Sequence, residues 1–99
     1  MGAYLMERLR ALQARSPAIG DVRGKGLMIG VELVEDKATR RPAKALCERL
    51  LHRAFQNGLL LLSCGISTVR LMPPLMIDRP TADEALDILE ASLAEALAN

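Results

Sequence analysis

Proline and glycine divide this chain into short segments whose apolar residues follow two different periods. Tyr4 to Arg15 carries leucines three or four positions apart, which is the spacing of an amphipathic helix. The Ser16-Pro17 pair ends this helix, because a residue before proline is pushed out of helical geometry. The segment from Gly26 to Val34 is apolar, partly β-branched and bounded by glycine, which predicts a strand. Helical and extended segments therefore alternate from the start of the chain.

The middle of the chain predicts a second amphipathic helix. Asp36 to Arg41 is a polar loop, and Pro42 suits the first helical position because its missing N–H would have no partner there. The helix is predicted to run to about Asn57, with Gly58 in the C′ position. Its buried residues are predicted to be Leu46, Cys47, Leu50, Leu51 and Ala54.

Two short strands and a third helix complete the pattern. Leu59 to Leu62 and Thr68 to Leu71 are the predicted strands, and Pro73-Pro74 places the end of the second at an edge or a bend. Thr81 to Glu84 has the pattern of a capping box that opens a helix. The apolar stripe of that helix is predicted to contain Leu86, Leu89, Leu93 and Leu97.

The order of elements predicts a single α+β domain of residues 1–99, in which helices pack on one face of a small, mostly antiparallel sheet. A further short strand near Val22 fits the same plan. The length of 99 residues suits one domain. Tyr4 and Phe55 are the only aromatic residues, so aliphatic side chains must fill the core.

Composition argues against several functions. Thirteen basic and twelve acidic residues give a net charge of +1 without a basic cluster, and aromatic stacking platforms are missing, so nucleic acid is not an expected partner. The chain has no run of about eighteen apolar residues and no apolar leader, so we expect neither a membrane span nor export. Two cysteines make no disulfide framework, which indicates a cytoplasmic protein.

Three glycines, Gly24, Gly26 and Gly30, raise the possibility of a phosphate-binding loop. Such a loop needs backbone N–H groups at the start of a helix that follows a strand. These glycines instead lead into Val31 to Val34, which has a strand pattern, and their spacing matches no phosphate-binding motif. A tight turn with close backbone packing is the favoured interpretation.

Neither a metal site nor an acid–base pair is expected. Cys47 and His52 are five positions apart, so they point about 140° away from each other on a helix, and Cys64 leaves a fourth ligand missing. Cys47 is therefore predicted to be a core residue. Paired carboxylates occur at Glu32 and Glu35 and within the predicted third helix. We expect those in the helix to complement its N-terminal dipole, and they are Asp83, Glu84, Asp87 and Glu90.

Arg70 is the strongest candidate for a binding residue. It lies within the apolar stretch from Val69 to Ile77, and strand alternation places it on the opposite side of the sheet from Val69 and Leu71. Its planar guanidinium suits bidentate binding of a carboxylate. The alternative is a charge on an edge strand that discourages aggregation.

Three segments together resemble a known family. They are GDVRGKGLMIGVELV at 20–34, NGLLLLSCG at 57–65 and STVRLMPPLMI at 67–77, and they are similar in order and spacing to the C-terminal region of class III, or subgroup II, aminotransferases. That family includes 4-aminobutyrate, ornithine and acetylornithine aminotransferases. The resemblance covers the chain from about Gly20 onward.

The resemblance implies the small C-terminal domain of a fold-type I enzyme that uses pyridoxal phosphate, with a homodimeric parent. The cofactor and its lysine would belong to a large domain missing from this chain, and Lys25, Lys37 and Lys44 do not match the cofactor lysine. The fragment then contains no catalytic and no cofactor-binding residue. Arg70 matches the arginine that binds the substrate carboxylate, and Arg23 lies in a turn where a structural role is expected.

The function implied by the resemblance is transfer of an amino group from an amino acid, such as 4-aminobutyrate, to a 2-oxo acid. The isolated fragment is expected to be inactive. The alternative is a free-standing α+β module for interaction or small-molecule binding, with Arg70 as its ligand anchor.

Overall fold

A computed structural model describes residues 2–25, 28–59, 61–65, 67–71 and 78–98, apart from the side chains of Gly2, Lys25, Met28 and Cys64. Helices and strands alternate through these residues, as the apolar periods predict. The elements are α1 (Gly2–Arg15), β1 (Ile19–Lys25), β2 (Met28–Asp36), β3 (Arg41–Pro42), α2 (Lys44–Gln56), β4 (Leu62–Cys64), β5 (Thr68–Leu71) and α3 (Arg79–Ala98).

The strands form one sheet in the order β1-β2-β5-β4, and β3 pairs with the end of β2. Every recorded pairing is antiparallel. The strand expected near Val22 is therefore a full strand, β1, which forms a hairpin with β2. Because β2 pairs with β1 on one side and with β5 on the other, it is an interior strand of the sheet, as is β5.

The core lies between the three helices and one face of the sheet. Along β2, Ile29, Val31 and Leu33 are almost completely buried, whereas Gly30 and Glu32 between them are partly exposed. The helices cover the buried face with apolar side chains that include Leu9, Leu50, Leu89 and Leu93. The predicted α+β architecture, with helices on one face of an antiparallel sheet, is confirmed.

The predicted start of the second helix is wrong. Pro42 lies in the two-residue strand β3, opposite Val34, and α2 begins at Lys44. The buried residue Ala43 donates its N–H to the carbonyl oxygen of Leu33 at 3.2 Å, and this bond to β2 holds the chain extended. Proline is tolerated there because a short edge strand does not need the N–H that proline lacks.

The end of α2 agrees with the prediction, and the strand after it does not. Gly58 follows the C-cap with a φ of 93°, the left-handed conformation that glycine adopts readily. Leu59 then donates its N–H to Ala54 at 2.7 Å, so it closes the helix instead of opening a strand. The strand β4 begins only at Leu62, whose side chain is 47% exposed, and Leu51 is half-buried rather than buried.

The third helix begins before the predicted capping box. Asp78 accepts the N–H of Thr81 at 2.9 Å, so Asp78 is the capping residue and Thr81 lies inside the first turn. Pro80 fits this turn because its missing N–H needs no partner there. Leu86, Leu89 and Leu93 are buried as predicted, but Leu97 is 44% exposed. The Pro73-Pro74 prediction lies outside the described residues.

The carboxylates of α3 serve a purpose other than the predicted one. The first turn of α3 contains no acidic residue, so they do not complement the dipole there. Arg8 of α1 instead pairs with Asp83 at 2.8 Å and with Asp87 at 3.3 Å, and Tyr4 also bonds Asp83. These ion pairs join α1 to α3, together with a further pair between Arg15 and Glu90.

We expect Leu9→Ala to destabilise the fold by about 2–5 kcal/mol, because it leaves a cavity in place of a side chain that has no solvent exposure. Phe55→Ala is the control, since this larger side chain is 68% exposed on α2 and its loss should cost within about 0.5 kcal/mol. Urea denaturation of both variants measures the difference. Equal losses of stability would contradict the assigned core.

We expect the cap of α3 to weaken in acid. The pKa of Asp78 is lowered by hydrogen bonds from Thr81, first from its side chain and then from its backbone. The contribution of Asp78 to the stability of the fold is therefore complete above the unfolded pKa of about 3.9 and is lost as pH falls through the lower folded pKa. Asp78→Ala should therefore lower the Tm at pH 7, and its difference from wild type should shrink below about pH 4.

Asp78→Asn is the matched control for this titration, because an amide still accepts the capping hydrogen bond but carries no titrating proton. Its Tm should fall less than that of the alanine variant at pH 7. A gap between wild type and Asp78→Ala that stays constant from pH 7 to pH 3 would show that the cap does not depend on the charge.

Candidate functional site

The face of the sheet turned away from the helices is lined mainly by polar residues. Cross-strand partners share a face, so the pairing register defines this surface directly. We call it the open face and define it by seven residues on β1, β2, β5 and β4: Asp21, Arg23, Gly30, Glu32, Thr68, Arg70 and the exposed Leu62.

Arg70 lies in the middle of the sheet. It is half-buried in β5, between the buried residues Val69 and Leu71, and it faces the opposite side from them, as strand alternation predicts. Its partners across the sheet are Gly30 on β2 and Leu62 on β4. Because β5 pairs with strands on both sides, Arg70 is not on an edge, and the interpretation as a protective edge charge does not fit.

Arg23 lies on the other side of Gly30. Its Nε is 3.5 Å from Asp21 Oδ2 and its Nη2 is 3.3 Å from Glu32 Oε2. With 61% of the side chain exposed, pairs of this kind contribute at most about 1 kcal/mol. Arg23 thus ties β1 to β2 and has its charge balanced by two carboxylates, in line with the structural role expected for it.

The sequence alone does not predict which residues surround Arg70. The alternation along β2 indicates that Gly30 and Glu32 share a side, but it does not reveal that Gly30 lies opposite Arg70 or that Glu32 lies opposite Thr68. That register joins two strands separated by the whole of α2, and no local signal specifies it.

The cysteines and the histidine are not brought together. Cys47 faces the core from α2, where burial raises the pKa of its thiol, and His52 is exposed on the same helix. The side chain of Cys64 lies outside the described part of the chain. Within that part, no three His, Cys, Asp or Glu side chains are grouped to hold a metal ion.

The glycines are in strands, not at the start of a helix. Gly24 lies in β1 and Gly30 in β2, the two strands of an antiparallel hairpin, and Gly26 lies outside the described residues. Their N–H groups therefore do not converge at a helix N-terminus, and the phosphate-loop interpretation loses its structural basis.

The described lysines do not form a site for pyridoxal phosphate. Lys37 donates from Nζ to the carbonyl oxygen of Gln13 at 2.6 Å, and Lys44 is exposed at the start of α2. The side chain of Lys25 is not among those described. Neither described lysine belongs to the open face, so these residues do not fit an internal cofactor site.

No helix in the described ranges is long and apolar enough to cross a membrane. The longest helix, α3, carries acidic residues along its length.

Comparison with known proteins identifies the family. The family model for class-III aminotransferases matches residues 1–93, and the chain therefore belongs to the class-III aminotransferase family. The chain is 42% identical over 95 residues to a leucine/methionine racemase from Thermococcus litoralis, covering 96% of this chain and 21% of that protein. It is 46% identical over 91 residues to a 4-aminobutyrate aminotransferase from Mycobacterium tuberculosis, covering 90% of this chain and 20% of that protein.

Solved structures give the same result. The chain is similar to an aminotransferase from Vibrio fluvialis in its PMP-bound form, with a TM-score of 0.89 and 33% sequence identity. The match covers 98% of this chain and 22% of that one. The chain thus spans about a fifth of the length of the curated relatives that it matches.

Proposed function

We propose that the chain is the small C-terminal domain of a pyridoxal-phosphate-dependent transaminase, and that its Arg70 binds the carboxylate of the substrate. The observation that carries this proposal is the position of Arg70, a half-buried guanidinium in an interior strand, on the polar face that the helices leave open. A planar guanidinium matches a carboxylate with two parallel hydrogen bonds.

The remaining four-fifths of the relatives' length supports the first part of the proposal, that this chain is one domain of a larger enzyme. The cofactor and its lysine would then belong to the portion of the parent enzyme outside this chain, and Lys37 and Lys44 lie away from the open face. Pyridoxal phosphate, when bound there, supplies the electron sink for the reaction at the carbon that bears the amino group. The parent is proposed to be a homodimer, and this domain alone to be inactive.

In this proposal, Arg70 would bind the substrate carboxylate and orient the amino acid. Fixing the carboxylate removes the rotational freedom of the amino acid and presents the C–H bond next to the amino group in one direction. Orientation of reacting groups can account for several kcal/mol of a reaction barrier.

A second candidate function is racemisation or epimerisation of amino acids. The specific observation in its favour is the 42% identity to a protein named leucine/methionine racemase. Both reactions act on amino acids, so both can use the same carboxylate-binding arginine. They differ in the need for a 2-oxo acid as amino acceptor.

We expect the full-length parent, loaded with pyridoxal phosphate, to transfer the amino group of L-alanine, 4-aminobutyrate or 5-aminovalerate to 2-oxoglutarate. Product formation should depend on the acceptor, and this chain alone should show none. Loss of the optical rotation of L-leucine without an acceptor would instead establish the racemase. If neither reaction occurs, both candidate functions are wrong and the binding-module alternative gains support.

We expect Arg70→Ala to lower kcat/KM of the parent by an amount equivalent to about 2–5 kcal/mol, because it removes a charge-assisted bidentate contact. Arg70→Lys should restore activity only in part, since an ammonium group cannot reproduce the two parallel hydrogen bonds. Steady-state kinetics of wild type and both variants measures the effect, and circular dichroism checks that the fold is kept. Near-wild-type turnover by the alanine variant would refute the assigned role.

A further inference from the structure

Gly30 occupies the centre of the open face. It lies in the interior strand β2, with Arg23 opposite on β1 and Arg70 opposite on β5. Its neighbours Ile29 and Val31 point into the core, so a side chain at position 30 would point out of the open face.

Nothing among the described residues requires glycine at this position. Gly30 is not among the glycines with positive φ, so other residues can adopt its backbone conformation. A Cβ placed there would be 3.4 Å from Thr68 Cγ2 and 3.9 Å from the carbonyl oxygen of Arg23, which are ordinary contacts. Gly20 on β1 shows the contrast, because a Cβ there would come within 2.6 Å of Val34 Cγ1.

A glycine inside a strand has a cost. It loses more backbone freedom on folding than any other residue and contributes no side-chain packing. When neither the backbone nor the surrounding atoms demand glycine, close approach of a ligand or of another backbone is the remaining physical reason for it. For Gly30, that approach must come from the open face.

The character of the open face favours a small charged ligand over a segment of protein. Around Gly30 the face carries Arg23, Arg70 and Glu32, and burying these groups under a polypeptide would require desolvation of each charge. A carboxylate ligand instead brings its own charge to Arg70. Asp21 and Glu32 pair with Arg23 at 3.5 and 3.3 Å, so the charge of Arg23 is balanced within the chain.

Resting on the proposed function, we infer that Gly30 is a specificity-determining residue whose missing side chain leaves room for the part of the substrate next to the carboxylate that Arg70 binds. Directly opposite residues on antiparallel strands have Cα atoms about 4.5–5.5 Å apart. A side chain at position 30 would therefore stand beside that of Arg70 and would compete with branched groups on the carbons nearest the carboxylate.

The test uses the full-length holoenzyme and two simple carboxylates, acetate and the branched 3-methylbutanoate, as competitive inhibitors. The assay substrate is whichever amino acid turns over fastest. Gly30→Val should raise the inhibition constant of 3-methylbutanoate about tenfold more than that of acetate, and Gly30→Ala should produce a smaller change in the same direction. Arg70→Ala should raise both constants. Ser63→Val, which adds volume to an exposed position of β4, should change neither.

Each other outcome overturns the inference in a distinguishable way. If Gly30→Val leaves both constants unchanged while Arg70→Ala raises both, the carboxylate site stands but Gly30 does not shape it. If Gly30→Val raises both constants equally and weakens cofactor retention, protein covers the open face there. If both Gly30 variants lose their fold, the glycine has a structural cause. If Arg70→Ala changes neither constant, the proposed role of Arg70 fails and the inference fails with it.

Discussion

The antiparallel pairing of β2 with β1 and β5 is the constraint on which the rest of the structure depends. Side chains alternate along β2, so a slip of one residue would expose Ile29, Val31 and Leu33 and would turn Glu32 into the core. The helices α1, α2 and α3 can bury their apolar stripes only against the face that these residues form. The same register also decides which residues lie beside Arg70. Packing and binding chemistry are thus set by a single alignment of strands.

The sequence predicts the elements of this fold well and their ends poorly. Apolar periods of 3.6 and 2 identify the helices and most of the sheet, because burial of one side is a property of each segment alone. The errors fall at the ends of elements, where one hydrogen bond decides the boundary. Ala43 bonds to Leu33 and delays α2, Leu59 bonds to Ala54 and delays β4, and Asp78 caps α3 ahead of Thr81. Such hydrogen bonds depend on tertiary structure or on a choice between neighbouring caps, and composition does not reveal either.

The candidate site shows the same limit in another form. Arg70 can be identified from the sequence because one charge interrupts an apolar strand, and alternation gives its side correctly. The neighbours of Arg70 cannot be identified from the sequence, because β3, α2 and β4 lie between β2 and β5 along the chain. The ion pairs of Arg23 and the gap at Gly30 emerge from pairing alone. The residues around Arg70 are therefore known only once the pairing register of β2 with β5 is known.

The relatives that this chain matches are named for two different reactions. It is similar to proteins named as a racemase and as an aminotransferase at nearly equal identity, 42% and 46%. A guanidinium that binds a carboxylate serves both reactions equally, because the amino-acid carboxylate remains intact in each. The difference between them lies in the fate of a proton and an amino group, and no described residue of the open face is a general base beside Arg70 other than carboxylates already paired with Arg23. The described residues of the open face therefore do not distinguish between the two reactions.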